Sequence, residues 1–197
     1  GTCNLKNTNK TLEGEIFSST GGSIYKSYNG LEWNKVFNNS NIHHNFIRCF
    51  EIYNNKLFAS PGKYGSPWML IETNDGEIFH EHDFRIDHMY NDCPIIIKFN
   101  ESLFCFLSNK NNLVPFKVYK YDGNNIYDTN KDGLGCNNNV SIMAAKVINN
   151  ILWVTTRNYK DGLEIWYTHD GINWNNFCKY GIDGNKYNEN CLYSMSK

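Results

Sequence analysis

Apolar side chains in this chain recur at every second position over short runs, and each run stops at a cluster of Asn, Asp and Gly. A period of two with frequent turn residues predicts strands and hairpins, not helices. The segments NFIRCFEIYNNKLFAS, CPIIIKFNESLFCFLS and VSIMAAKVINNILWVT show the pattern most clearly. Each reads as two strands around a polar turn, at Asn54-Asn55, Asn100-Glu101-Ser102 and Asn149-Asn150. SIMAAKVINNILWV has helical propensity when taken alone, but its alignment with two β-branched and aromatic runs argues for strand.

A second kind of hairpin follows each of these pairs and also precedes the first of them. IYKSYNGLEW (24–33), LIETNDGEIF (70–79), KVYKYDGNNI (117–126) and IWYTHDGINW (165–174) align without gaps. Their turn residues Asn29, Asp75, Asp122 and Asp170 lie about 46, 47 and 48 residues apart, a period typical of propeller blades. Gly30, Gly76, Gly123 and Gly171 follow directly and can take the positive φ that a tight turn needs. Trp33, Phe79, Ile126 and Trp174, four residues after the Asp or Asn, are suited to wedge between neighbouring blades. The expected fold is therefore all-β: a small β-propeller of four blades, each a four-stranded antiparallel meander. Blades are expected over 13–37 plus 190–197, 45–84, 93–130 and 140–178, within one domain. The first unit lacks an obvious innermost strand, so NCLYSMSK (190–197) is expected to pair with 14–20 and close the ring.

At these hairpins the sequence resembles Asp-box (BNR) repeats, the S/T-x-D-x-G-x-x-W turns of sialidases and of many non-enzymatic propellers. Ser27, Thr73 and Thr168 match the hydroxyl position, Asp75 and Asp170 the Asp, and Trp33 and Trp174 the aromatic. Here Gly follows the Asp directly, and Asn29 and Lys120 replace expected residues. The resemblance implies a propeller in which these turns are structural and lie away from the ligand face. It does not carry over sialidase activity: Phe84-Arg85-Ile86-Asp87 has Asp for the Pro of the family's F/Y-R-I-P, follows the second box, and lacks a Tyr/Glu nucleophile pair.

Composition narrows the function. A formal charge of -1 gives no bulk attraction to nucleic acid or an anionic membrane, and no apolar run reaches the roughly 20 residues of a membrane-spanning helix. Aromatic content of 15% argues against disorder. Seven cysteines without a C-x-x-C pair leave disulfides between blades or buried thiols, and their density points to the secretory pathway or the extracellular space. Sequons at Asn9, Asn38, Asn100 and Asn139 are no more than such an Asn-rich chain produces by chance. There is no G-x-S-x-G and no Gly-rich phosphate loop.

In a meandering blade, the inter-blade connections and the loops between strands two and three share one face. That places His43, His44 and Arg48, then Arg85, Asp87 and His88, with Tyr64 and Trp68, and Arg157 and Tyr159, on one side. Arginine forks suit carboxylate, sulfate or phosphate, and adjacent aromatics suit sugar rings or a protein hot spot. The expected function is lectin-like, non-catalytic recognition of a glycan or protein through this face, with no cofactor, nucleic acid or membrane insertion. Oligomerisation is compatible with it. The alternative is a small metal-dependent or glycosidase-like hydrolase on the same face, using His43 and His44 with the His-rich run His80 to His88.

Overall fold

Strand follows strand in the computed structural model, which describes residues 5–11, 14–19, 22–38, 46–62, 68–109, 111, 114–182 and 184, with backbone only for 5–11, 14–19 and 38. The strands are β1 Leu5–Thr11, β2 Gly14–Ser19, β3 Ser23–Lys26, β4 Asn34–Asn38, β5 Phe46–Tyr53, β6 Lys56–Gly62, β7 Leu70–Thr73 and β8 His80–His82. They continue as β9 Asp92–Phe99, β10 Ser102–Ser108, β11 Lys117–Tyr121, β12 Ile126–Asp128, β13 Ser141–Ile148, β14 Ile151–Arg157, β15 Ile165–Thr168 and β16 Trp174–Cys178. Among the described residues the one helical element is a single 3-10 turn, Asp132–Gly135.

Three four-stranded antiparallel meanders result: β5-β6-β7-β8, β9-β10-β11-β12 and β13-β14-β15-β16. SIMAAKVI is strand β13, as its alignment with the other runs predicts. The fold is all-β and propeller-like: β9, the first strand of its sheet, packs against β5 and β6 on one side and β13 on the other. The start of the chain differs from expectation. β2 takes its partner from β1, and β3-β4 forms a separate two-stranded sheet. β1 is polar after Leu5 (LKNTNKT) and so carries no apolar alternation to announce it, but it lies two residues ahead of β2, where loop closure costs least entropy. The expected C-terminal partner, 190–197, lies outside the described residues.

Local chemistry fixes the turns. Asn54-Asn55 and Asn149-Asn150 both hold two successive positive φ angles, 48° and 59°, then 52° and 59°. That geometry matches strand twist in a two-residue hairpin, and Asn tolerates it better than most side chains. Phe99 pairs with Ser102, so the turn at Asn100-Glu101 also has two residues, not the expected three.

The Asp/Asn-Gly turns share one hydrogen-bond pattern. Thr168 Oγ1 accepts from the Gly171 amide at 2.8 Å, and Asp170 Oδ1 accepts from the Ile172 and Asn173 amides at 2.8 and 2.7 Å. Thr73 and Asp75 repeat this with Gly76, Glu77 and Ile78, and Ser27 and Asn29 with Gly30, Leu31 and Glu32. In the third unit Lys120 offers no hydroxyl, yet Asp122 still accepts from the Asn124 and Asn125 amides, both at 2.8 Å. Backbone donors stabilise the ionised carboxylate, so the amides of Ile78 and Glu77 hold the Asp75 carboxyl down to about 2, and Asp170 is lowered by the Asn173 and Ile172 amides.

Sheet faces meet in three apolar clusters. With β5–β8, β9–β12 and β13–β16 termed the second, third and fourth sheets, Ile24, Ile47, Ala59 and Ile71 join β3-β4 to the second sheet. Tyr53, Phe58, Leu70, Ile96, Leu103 and Tyr121 join the second to the third. Phe104, Phe106, Phe116, Ile142, Leu152 and Val154 join the third to the fourth. Every residue of β10 is buried, with Leu103, Cys105 and Leu107 facing one cluster and Phe104 and Phe106 the other. Full burial of each of these large apolar side chains contributes roughly 1.5–3 kcal/mol.

The wedge residues follow expectation in three units. Phe79, Ile126 and Trp174 pack on the cluster shared with the preceding sheet, Phe79 at 5.2 Å from the ring of Phe37 and Trp174 at 6.2 Å from that of Phe106. Trp33 does not wedge in this way: it is 60% exposed.

Two glycine substitutions separate backbone strain from packing. A Cβ on Gly30 (φ 75°) meets nothing within 4 Å, whereas one on Gly171 (φ 77°) falls 2.2 Å from Phe104 Cζ. Gly30→Ala is expected to cost roughly 1–2 kcal/mol for the left-handed backbone alone. Gly171→Ala is expected to cost ~1–3 kcal/mol more, because it overpacks the core. Equal shifts in denaturant melts of the two variants would contradict this contrast.

Candidate functional site

Topology brings the starts of β5, β9 and β13 to one end of the stack. Arg48 pairs with Asp92 across the starts of β5 and β9, and the Phe116 amide reaches the Asn139 carbonyl at 3.1 Å, joining the same ends of the third and fourth sheets. Connections 83–91 and 129–140 and the β14-β15 loop lie at this end, opposite the Asp/Asn-Gly turns.

The candidate residues divide into pairs with different duties. Arg48 sits at an irregularity in register, where Ile47 pairs with Pro61 but Cys49 with Ser60. A bulge of this kind re-aims a side chain, and here the guanidinium binds Asp92 in a fork: Nε donates to Oδ1 at 2.9 Å and Nη2 to Oδ2 at 2.8 Å. Its plane lies 4.3 Å from the Phe46 ring. This geometry uses Arg48 to staple the second sheet to the third. Strand alternation could not reveal it, because the bulge breaks the alternation.

Arg85, Asp87 and His88 stand in the exposed connection after β8. Arg85 adopts φ 54°, unusual for a non-glycine residue, while its amide donates to Asp83 Oδ1 at 2.9 Å. Asp87 anchors the next bend by accepting from the Met89 amide at 2.9 Å, and His88 Nδ1 lies 3.4 Å from its carboxylate. Arg157, at the end of β14, has its guanidinium 5.9 Å from the ring of Tyr159, which is 59% exposed. Trp68, expected on this face, is a core residue: it is 1% exposed, its Nε1 donates to Ser60 Oγ at 3.1 Å, and its ring stacks on Phe84. An indole with its N–H satisfied in the core is unavailable to a ligand. His43, His44 and Tyr64 lie outside the described residues.

The His-rich run does not gather as a metal reading requires. His82 stacks on Phe84 at 5.8 Å, and its Nε2 lies 3.5 Å from Glu72 Oε2, a residue of β7 outside the run. Among the described residues no group of three His, Cys, Asp or Glu is placed to hold a metal ion.

A buried polar network beneath the loop end went unread in the sequence. Glu164, 3% exposed, accepts on Oε2 from Asn139 Nδ2 and Trp166 Nε1, both at 2.7 Å. Asn158 Nδ2 donates to Asn139 Oδ1 at 3.0 Å, and Asn158 Oδ1 accepts from the amides of Lys160 and Asp161. The network locks connection 129–140 to the β14-β15 loop, and every bond in it joins residues distant in sequence or held by a loop. Asn139 is fully buried with its amide nitrogen committed, so this sequon cannot receive a glycan.

The expectation of disulfides is corrected for Cys49, Cys93, Cys105 and Cys136, which are free thiols. Burial pushes the Cys49 thiol up to about 12 and raises Cys93 and Cys105 well above the ordinary value. Such groups are neutral near pH 7 and poor nucleophiles. Cys3 and Cys191 lie outside the described residues.

No family model and no curated protein matches the chain. Among solved structures, it is similar to Bacteroides ovatus Xyloglucan PUL GH43B, with a TM-score of 0.45 and 10% sequence identity. The likeness covers 87% of this chain and 37% of that one.

A thiol-specific reagent at pH 8 is expected to leave Cys49, Cys93 and Cys105 unmodified in the native protein and to modify all three in guanidinium. Rapid native labelling of Cys93 or Cys105, located by peptide mapping, would contradict the assigned burial.

Proposed function

We propose that this chain is a non-catalytic recognition module on a four-bladed Asp-box-type propeller, binding a glycan or protein partner through its loop end. The exposed connection bearing Arg85, with half-buried Arg157 beside the exposed ring of Tyr159, carries the reading: a guanidinium near an aromatic ring suits an anionic group on a sugar or peptide. Arg85, Asp87 and His88 supply further contacts on the neighbouring connection. Arg48 holds the scaffold behind them. A rigid stack presenting polar loops is the usual arrangement for binding.

The four-bladed ring is supported by the faces left over at its two ends. Trp33 occupies the position that in the later units packs on a preceding sheet. On the last sheet, Trp153, Tyr167 and Phe177 cluster with ring centroids 5.0 and 5.4 Å apart, and Phe177 is 65% exposed. In the proposed ring β1 to β4 form the first blade, and these two aromatic faces meet. Recognition is favoured over hydrolysis by the isolation of the thiols and of Glu164, which leaves neither as a reacting group.

The test is a glycan array that includes sulfated and carboxylated sugars, probed with wild type, Arg85→Ala and Arg157→Ala. Wild type is expected to bind acidic glycans, each substitution to weaken binding at least tenfold, and the melting temperature to stay unchanged. Binding indifferent to both substitutions would overturn the assignment.

A further inference from the structure

Three of the Asp/Asn-Gly turns carry an aspartate, whereas the first carries Asn29 followed by Gly30, the one Asn-Gly pair in the sequence. A side-chain amide ahead of glycine is open to attack by the next backbone nitrogen, because glycine has no Cβ to shield that nitrogen. The aspartates resist the same attack. Backbone amides hold the carboxyls of Asp75, Asp122 and Asp170 below the usual range, and an ionised carboxylate is a poor electrophile. The neutral amide of Asn29 lacks that protection.

Position favours the reaction, and local bonding opposes it. Asn29, Gly30 and Leu31 are all exposed, so water reaches the turn freely. Against this, the Gly30 amide donates to Ser27 Oγ at 2.8 Å. The nitrogen that has to attack is therefore held with its proton on an acceptor, and losing the proton leaves two electron-rich atoms facing each other. Asn29 Oδ1 accepts from the Leu31 and Glu32 amides, both at 2.9 Å, and from the Ser27 hydroxyl at 3.3 Å. Turning Cγ toward the Gly30 nitrogen breaks these bonds. Giving up several hydrogen bonds of ordinary strength slows the reaction roughly tenfold or more.

We infer that Asn29 is a site of spontaneous deamidation gated by its own turn, with Ser27 as the gate, and that the aspartate formed fits where the asparagine stood. The Gly30 nitrogen bonds to Asn29 Cγ, the Cγ–Nδ2 bond breaks, and ammonia leaves with the proton given up by the Gly30 nitrogen. Water then opens the five-membered imide. Attack at Cγ restores the chain with an aspartate, and attack at the backbone carbonyl routes the chain through the side chain as an isoaspartyl link. The aspartate meets the arrangement that Asp75 and Asp170 use, one hydroxyl and two amide donors already in place. The isoaspartyl chain is one methylene too long for the turn.

The test incubates wild type, Ser27→Ala, Thr168→Ala and Asn29→Asp at pH 8 and follows the peptide containing Asn29 by mass spectrometry, with wild type in guanidinium as the unprotected reference. Native wild type is expected to convert at least tenfold more slowly than the unfolded chain, and Ser27→Ala roughly fivefold faster than native wild type. Thr168→Ala, the matching change in the fourth turn, is expected to convert at the wild-type rate, and Asn29→Asp to melt no lower than wild type. Conversion of native wild type as fast as the unfolded chain overturns the gate, as does an unchanged rate in Ser27→Ala. Equal acceleration in Ser27→Ala and Thr168→Ala also overturns it, because general destabilisation then controls the reaction. Absence of conversion in guanidinium overturns the site itself, and a lower melting temperature for Asn29→Asp overturns the fit of the product.

Discussion

Burial of both faces of every internal sheet is the constraint on which this structure depends. A four-stranded meander has two broad faces and cannot bury either by itself. The third sheet meets this demand on both sides at once: the alternating side chains of β10 enter two separate cores, so β10 is buried along its whole length. The sheets therefore stabilise one another in series, and the ends of the series are where aromatic side chains remain exposed. Trp33 at one end and Phe177 at the other follow from that arrangement rather than from any local feature.

The same constraint sorts the chemistry-bearing residues. Charged groups between sheets are consumed in fastening them, as with Arg48 and Asp92, while Lys56 and Glu72 pair at 2.7 Å across adjacent strands of one sheet. Groups on the connection between the second and third sheets, such as Arg85 and His88, stay exposed. Recognition on such a scaffold rests on the rigidity the packed sheets give to short loops.

Repetition made most of the fold legible in the sequence. The aligned Asp/Asn-Gly turns, the Asn-Asn hairpins and the period-two runs predict the three complete meanders, because each signal is local and recurs. β1 was not legible, since its polar sequence carries no facing pattern and its strand character comes from pairing with β2. The candidate site was legible only by its end of the molecule. Trp68 and Arg48 were assigned outward from their place in the chain, and only tertiary structure reveals that one is buried and that a bulge turns the other onto Asp92. The Asn139, Asn158 and Glu164 network is long-range in the same sense, and so is the burial of the Cys93 and Cys105 thiols in one apolar cluster.

Native-state hydrogen exchange tests the interdependence of the sheets most directly. If their cores are shared, the slowest amides of β6, β10 and β14 are expected to exchange with one common free energy of opening and one denaturant dependence, equal to those of global unfolding. Distinct opening energies for the three strands, with β14 exchanging while β10 remains protected, would mean that the sheets fold as independent units and would contradict the account.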